Sequence, residues 1–398
     1  MQSPALSDLR VLDLTHLVAG PYCTKFLADF GAEVIKIEKP GDGDGARRMA
    51  PFYQDVPSIE NSGLFMYLNT NKKSITLNLK SPDGVKLLLQ LVREADIVVE
   101  NFQPRVMPGL GLSYESLREV NPDLIMTSIS NYGQSGQYRD YKAYGLNIMA
   151  MGGLMNITGE TNREPLAIGG MQVEFVGGLY GLISTLMAIF FRNMTGAGQH
   201  VDVSLMESVA ANLERTTIAY SFLGAISYRG TGRFFNGYPW GIFPCKDGHI
   251  FIIPGPGNMP NLALMVEQPD LVEHHLFKDV YTRMEHPELF DQLIVPWLME
   301  HERNEIVELA TDLRMPFAPV VSVDELLINR QLLDREYFTE IEHPAGKFKY
   351  PGLPFRMSES SSASGRAPLL GEHNQEVYVR KLGYAEEDLV RFREQGTI

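Results

Sequence analysis

The sequence predicts an α/β protein with a large domain on a parallel sheet and a second, smaller α/β unit. Three observations carry this reading. Short apolar runs of strand length alternate with helical patterns through the first hundred residues and resume near residue 200, the rhythm of strand–helix–strand crossovers. Runs such as Ala95–Glu100 and Leu124–Ile129 are mostly apolar, four residues in six, as expected of strands covered on both faces. A stretch rich in glycine, proline and aromatic residues, near 225–248, reads as a linker, and a further strand and several helical patterns follow it to about 330. The length, 398 residues, suits two or three domains.

The elements follow in order. Arg10–Leu14 is a strand; Pro21–Phe30 is a helix with proline in its first turn; Gly31 ends it, and Ala32–Glu38 is the second strand. Ser74–Leu79 is the third. Pro82–Glu94 is a helix with Ser81 as N-cap. Ala95–Glu100 and Leu124–Ile129 are the next strands. Gly177–Phe191 reads as a core helix closed by the turn Thr195–Gly198. His200–Leu205 is a strand, Met206–Ser221 one long helix, and Ile250–Ile253 a strand of the second unit. Residues 357–366 form a low-complexity connector.

Composition narrows the function. Lysine plus arginine total 35 against 49 acidic residues, a formal charge of −14. Nucleic-acid binding of the sequence-independent kind needs a basic surface, so no nucleic-acid partner is expected, although a local basic pocket for a small anion remains compatible. Two cysteines, Cys23 and Cys245, fit a reducing, cytoplasmic setting. No basic segment followed by an apolar run marks the N-terminus as a signal peptide. Val173–Phe191 is long and apolar enough to imitate a membrane span, but it holds Glu174 and several glycines. It is expected to be a buried helix, with no membrane partner.

The first strand–helix turn, Thr15–Pro21, has one glycine, whereas a dinucleotide loop wants Gly-x-Gly-x-x-Gly. No P-loop, His-Glu-x-x-His, Cys-x-x-Cys or Gly-x-Ser-x-Gly is present, so no metal and no permanent cofactor are expected. His16 sits where a predicted strand ends, the side on which open α/β sheets bind ligands; it is an active-site candidate or a satisfied structural histidine. Glu174 stands out most. It lies inside the apolar, glycine-containing run Gly169–Gly178, where a carboxylate is either buried or at a pocket mouth. Function and a helix N-terminal acid favoured by the macrodipole are both open on this evidence.

Six segments stand in one order along the chain: Val11–His16 with Ala19-Gly20-Pro21, Gly31–Glu38, Asn71–Ile75, Val99–Phe102, Thr195–Gln199 and Ala367–His373. In these the chain resembles the class III CoA-transferases. The resemblance covers essentially the whole chain. It implies a Rossmann-like large domain and a smaller α/β domain in an interlocked dimer. The implied domains are 1–205 (large, CoA-binding), a linker at 206–230, a small domain at 231–325, a return linker at 326–350, and 351–398 packing back on the large domain.

The implied activity is exchange of CoA between an acyl-CoA and a small carboxylic acid through an enzyme carboxylate, with the CoA thioester as substrate. Glu174 falls where the family carries an aspartate nucleophile, one methylene longer. The resemblance places CoA contacts at Val18 and Ala19, Lys39, Leu77–Lys80 (Leu77, Asn78, Leu79, Lys80), Asn101–Gln103 (Asn101, Phe102, Gln103) and Tyr141–Tyr144 (Tyr141, Lys142, Ala143, Tyr144). Gly109 stands in place of a CoA-binding arginine, for which Arg105 is the nearest substitute. These departures leave two arrangements: a homodimer active by itself, or a heteromer in which this chain is the non-catalytic partner of a related one. Tyr144 stands where acyl-CoA racemases carry a histidine, which weakens that alternative. A glycine-rich gating loop has no counterpart at 237–248, which disfavours oxalate.

Overall fold

The computed structural model describes residues 4–230, 237–255, 257–363 and 365–398; the expected start of the small domain at 231 lies outside them. Within the described residues the chain forms two compact units, one of residues 1–154, 168–223 and 336–398, the other of 155–167 and 224–335.

The larger unit is built on a six-stranded sheet in the order β3-β2-β1-β4-β5-β6, every pair parallel. Its strands are β1 (Arg10–Asp13), β2 (Glu33–Glu38), β3 (Lys73–Thr76), β4 (Ile97–Glu100), β5 (Ile125–Ser130) and β6 (His200–Ser204). This is the Rossmann-like architecture expected from sequence. Alternate residues serve opposite faces. Leu12, Ile35, Ile75, Val98 and Met126 pack against Leu87, Leu88 and Leu91 of the helix Pro82–Val92 and against Val377, Leu389 and Phe392 from the C-terminal segment. The opposite face meets the first helix, Ala19–Asp29, and a long helix, Gln172–Thr195; Thr127 of β5 and Thr185 of that helix share a hydrogen bond of 2.7 Å. Ser81 caps Pro82–Val92 as expected, its hydroxyl accepting from the Gly84 amide. Gly196, at φ 76°, closes the long helix in the left-handed conformation.

Four expectations needed revision. The long helix is buried on one face only: Gly177, Gly178, Gly181 and Thr185 are inside, while Met187, Phe190 and Met194 are 66–71% exposed. By length and composition it could cross a membrane. Its apolar character follows from a docked glycine face and an uncovered apolar one. The expected helix over 206–221 is two, Leu205–Ala211 and Glu214–Leu223. Asn212 interrupts it, its side-chain amide turning back to the Ser208 carbonyl at 2.8 Å. The stretch around 225–248 holds a strand, β7 (Gly241–Cys245), antiparallel to β8 (Gly248–Ile252). Pro244 is tolerated because β7 is an edge strand in the order β7-β8-β9, with β9 at Ala318–Pro319. Residues 326–350 carry the short helix Arg330–Asp334 and most of a hairpin, β10 (Phe338–His343) with β11 (Gly346–Pro351).

The smaller unit has its own core. Phe243, Ile250 and Ile252 of its sheet pack on Leu262, Phe290, Ile294 and Leu298 from surrounding helices, which makes it a small α/β unit.

Candidate active site

Strand order reverses direction between β1 and β4, so their following loops diverge and open a crevice, the usual ligand position in such sheets. The turn after β1 is held there by a pair of hydrogen bonds. Asn101, immediately after β4, accepts from the His16 amide and donates to the His16 carbonyl, both at 2.8 Å. The His16 ring stacks on Phe102, centroids 5.6 Å apart. Burial lowers the pKa of this imidazole, which favours its neutral form at neutral pH.

Beneath the turn lies a buried charge network on the face of the first helix. Asp13 receives the Thr15 amide at 2.9 Å, the Thr15 hydroxyl, the Thr24 hydroxyl at 2.7 Å and the Lys72 ammonium at 2.9 Å. Lys36 bonds the Thr15 carbonyl at 2.9 Å and pairs with Asp44 at 2.8 Å. Asp44 in turn accepts from the Leu17 amide at 2.8 Å. Burial alone would raise the Asp13 pKa, but Lys36 and Lys72 together hold it far below the ordinary carboxylate range. Glu38, where a dinucleotide fold would bind a ribose, is occupied by Arg47 at 2.7 and 2.8 Å and by Ser74 at 2.7 Å.

The crevice forms a cavity of about 210 Å³. His16, Val18, Ala19, Asn101, Phe102, Gln103, Tyr141, Ala143, Tyr144 and Glu174 all line it. Ten of the residues singled out in the sequence therefore meet at one place. Glu174 arrives there through the packing of the long helix. A β-carbon on Gly178 would stand 2.6 Å from the Ala19 carbonyl oxygen, one on Gly177 2.0 Å from Leu205 Cδ2, and one on Gly181 2.6 Å from Ile129 Cδ1. At Gly178 the neighbour is backbone and only glycine permits this approach; at Gly177 and Gly181 it is the movable end of a side chain. Glu174 precedes these glycines by three, four and seven residues and so shares their stripe. The docking that seats the helix also brings its first-turn carboxylate to the crevice. Phe175 adds an edge-on contact with Tyr22 at 4.7 Å.

Other candidates lie apart from this cavity. Lys39, just after β2, is exposed and paired with Asp42. Residues 77–80 turn after β3: Leu77 is in the core, Leu79 packs against it, and Asn78 donates its amide and side chain to the Thr397 and Gly396 carbonyls at 2.8 and 3.1 Å. Lys80 and Lys142 are exposed. Arg105 makes a two-pronged pair with Asp140 at 2.9 and 2.6 Å, while a β-carbon at Gly109 would meet nothing within 4 Å. The shared feature is topological: Lys39, 77–80 and 101–105 follow the carboxyl ends of β2, β3 and β4, on the same side of the parallel sheet.

Residues the sequence had not flagged complete the walls: Ser130, Asn131, Arg139 and Gly145. Asn131 donates to the Ala143 carbonyl at 2.9 Å and so holds the 141–144 segment. Glu100 also emerges as a buried acid. It accepts from the Phe102 amide at 2.8 Å and lines a neighbouring cavity of about 380 Å³ with Ser128 and His200. Burial pushes its pKa up to about 7. No cluster of metal-ligating side chains occurs among the described residues.

A fold with this switch-point crevice and a carboxylate on a glycine-docked helix defines a Rossmann-like class of ligand-handling α/β protein. Comparison then supplies the family. The model for CoA-transferase family III matches residues 6–374, and the chain belongs to that family. It is 35% identical to the succinyl-CoA:mesaconate CoA-transferase of Haloarcula hispanica, over 94% of this chain and 95% of that one. It is 33% identical to the succinyl-CoA–D-citramalate CoA-transferase of Chloroflexus aurantiacus, over 99% and 98%. It is 32% identical to a formyl-CoA:oxalate CoA-transferase of Rhodopseudomonas palustris, over 99% and 97%. Among solved structures, a CAIB/BAIF family protein from Brucella suis superposes with a TM-score of 0.87 at 29% identity, covering 95% of this chain and 100% of that one.

Proposed function

We propose that the chain transfers CoA from an acyl-CoA to a carboxylic acid, with Glu174 as the carboxylate that carries the exchange. One observation supports this above others: the Glu174 side chain opens into the same cavity as Val18, Ala19, Asn101–Gln103 and Tyr141–Tyr144. In the proposed sequence a Glu174 oxygen attacks the thioester carbonyl. The C–S bond breaks, giving a mixed anhydride and CoA thiolate. The thiolate then attacks the glutamyl carbonyl, the glutamyl C–O bond breaks, the donor acid leaves with the bridging oxygen that came from Glu174, and Glu174 carries CoA as a thioester. An acceptor carboxylate reverses both steps and restores Glu174. This is nucleophilic catalysis by a carboxylate, and it conserves the thioester only if water stays out. The neutral His16 ring on Phe102 forms one wall of that site, and Lys39, Lys80 and Arg105, after the carboxyl ends of β2, β3 and β4, are the cations assigned to CoA phosphates in this reading.

In this reading a second copy, or a related chain, covers the apolar face of the long helix. Leu179, Ile183, Leu186, Met187, Phe190 and Met194 are 37–71% exposed there, a run of the kind that marks interaction surfaces. The non-catalytic-subunit reading rests on Gly109 and on glutamate as nucleophile. One experiment separates the two. The purified chain, given an acyl-CoA and an acceptor acid, is expected to turn over and, with hydroxylamine or borohydride, to become modified at Glu174; Glu174→Ala abolishes both. Turnover undiminished in Glu174→Ala, in any assembly, refutes the catalytic role. Light scattering that shows a stable single-chain mass refutes the dimer.

A further inference from the structure

The carboxylate of Glu174 rests against the α-carbon of Gly145. A β-carbon built on Gly145 would lie 2.3 Å from Oε1, 2.8 Å from Oε2 and 2.9 Å from Cδ of Glu174. Those positions cannot be shared, since ordinary contact begins near 3.4 Å. Gly145 opens the helix Gly145–Met151 and is not among the glycines with positive φ. Its own backbone therefore accepts alanine, and helix propensity favours the change. Neither a turn nor a cap demands glycine here; what a side chain at 145 would meet, and move, is the end of the Glu174 side chain.

We propose that Gly145 is a positioning residue that seats the Glu174 carboxylate, and that the pair at 145 and 174 fixes the length of acidic side chain this site can use. The inference rests on the reading of Glu174 given above. A methyl group at 145 would have to displace Oε1 by about 1 Å to reach ordinary contact, the scale of misplacement that costs roughly 100-fold in rate. Shortening the acid by one methylene withdraws the carboxylate by a comparable distance, about one C–C bond of 1.5 Å. The two substitutions should therefore compensate.

The test compares four chains, wild type, Gly145→Ala, Glu174→Asp and the double variant, with Glu174→Ala as reference. Gly145→Ala is expected to lower kcat roughly 100-fold with little change in KM for the acyl-CoA and no loss of thermal stability. Hydroxylamine trapping at Glu174 should fall in proportion. In the Glu174→Asp background the same Gly145→Ala change should cost less than about tenfold. A fully active Gly145→Ala, or an equal penalty in both backgrounds, overturns the inference. A Gly145→Ala chain that loses thermal stability and kcat together, with no relief in the double variant, assigns Gly145 a structural role and overturns it too. If instead Glu174→Ala retains turnover, the reading of Glu174 itself has failed, and the two failures are distinguishable.

Discussion

Asp13→Asn offers the sharpest test of how the turn after β1 is held. The side chains of Asp13, Lys36 and Lys72 are each fully buried. One Asp13 oxygen serves the Thr15 amide and hydroxyl; the other lies 2.9 Å from the Lys72 ammonium and 2.7 Å from the Thr24 hydroxyl. Asparagine keeps one acceptor for Thr15 but turns an amide NH2 toward two donors. The substitution thus leaves a buried ammonium without its counter-charge, a loss of about 3–5 kcal/mol. At roughly 2–4 °C per kcal/mol the melting temperature should fall by about 6–20 °C. A pH arm separates charge from packing. Burial already lowers the Lys72 pKa to about 8, and without Asp13 it must fall further. A lysine depressed in the folded state costs stability below its unfolded pKa and ceases to do so as pH rises toward that value. The deficit of the variant should therefore shrink between pH 7 and pH 10. Urea unfolding followed by circular dichroism reads both effects. A deficit below about 1 kcal/mol at pH 7, or one independent of pH, would refute the charge network as the support of this turn.

Two further outcomes follow from the packing. Gly178→Ala places a β-carbon 2.6 Å from the Ala19 carbonyl; about 1–3 kcal/mol of overpacking outweighs roughly 1 kcal/mol of helix propensity, so urea unfolding should show a net loss and turnover should drop as Glu174 shifts, whereas Gly169→Ala, with nothing within 4 Å, stays within about 0.5 kcal/mol of wild type. Glu100 has its folded pKa raised from 4.5 to about 7, so the folded chain holds a proton that the unfolded chain releases across that window, and stability falls as pH rises through it. Glu100→Gln removes a penalty of roughly 3 kcal/mol, expected in full at pH 8 and absent at pH 4; an equal effect at both pH values would show that ionisation is not its cause.

The parts of the fold that were legible in the sequence are those where a local pattern and a tertiary requirement coincide. Ile97, Val98 and Val99 are at most 1% exposed, and an apolar run covered on both faces shows itself as such. Glu174 was visible because a charge amid glycines and apolar residues is locally out of place. What stayed hidden depends on partners distant in sequence. Asn131 matters because it reaches the Ala143 carbonyl, Lys72 because it meets Asp13 across 59 positions, and Gly145 because a helix beginning 27 residues later brings its carboxylate there. The break at Asn212 was missed for a different reason: periodicity runs through the position, and only the side-chain bond to the Ser208 carbonyl interrupts it. β7 is obscured by the glycine, proline and aromatic content of 225–248, which reads as a linker, although an edge strand tolerates a proline such as Pro244.

The long helix shows why hydropathy alone misjudges this region. A buried helix and a membrane span share the same average composition, but they differ in how apolar residues are spread around the axis. Here the two sides serve different ends. Gly177, Gly178 and Gly181 are small because three separate neighbours, Leu205, the Ala19 carbonyl and Ile129, stand where their side chains would be. Of the three, the Ala19 carbonyl is backbone and sets the closest fixed approach, while Leu205 and Ile129 present the ends of side chains. Mid-helix glycine costs roughly 1 kcal/mol per position in propensity, so such a stripe persists only where close approach outweighs that loss. The large residues on the other side, Met187, Phe190 and Met194, gain nothing from this docking; their apolar surface is stabilising only when something covers it. A second chain against that face would lock the same helix from outside, and the carboxylate in its first turn would then be held between two packed surfaces. In the proposed assembly, one helix would then serve both the placing of Glu174 and the contact with a second chain.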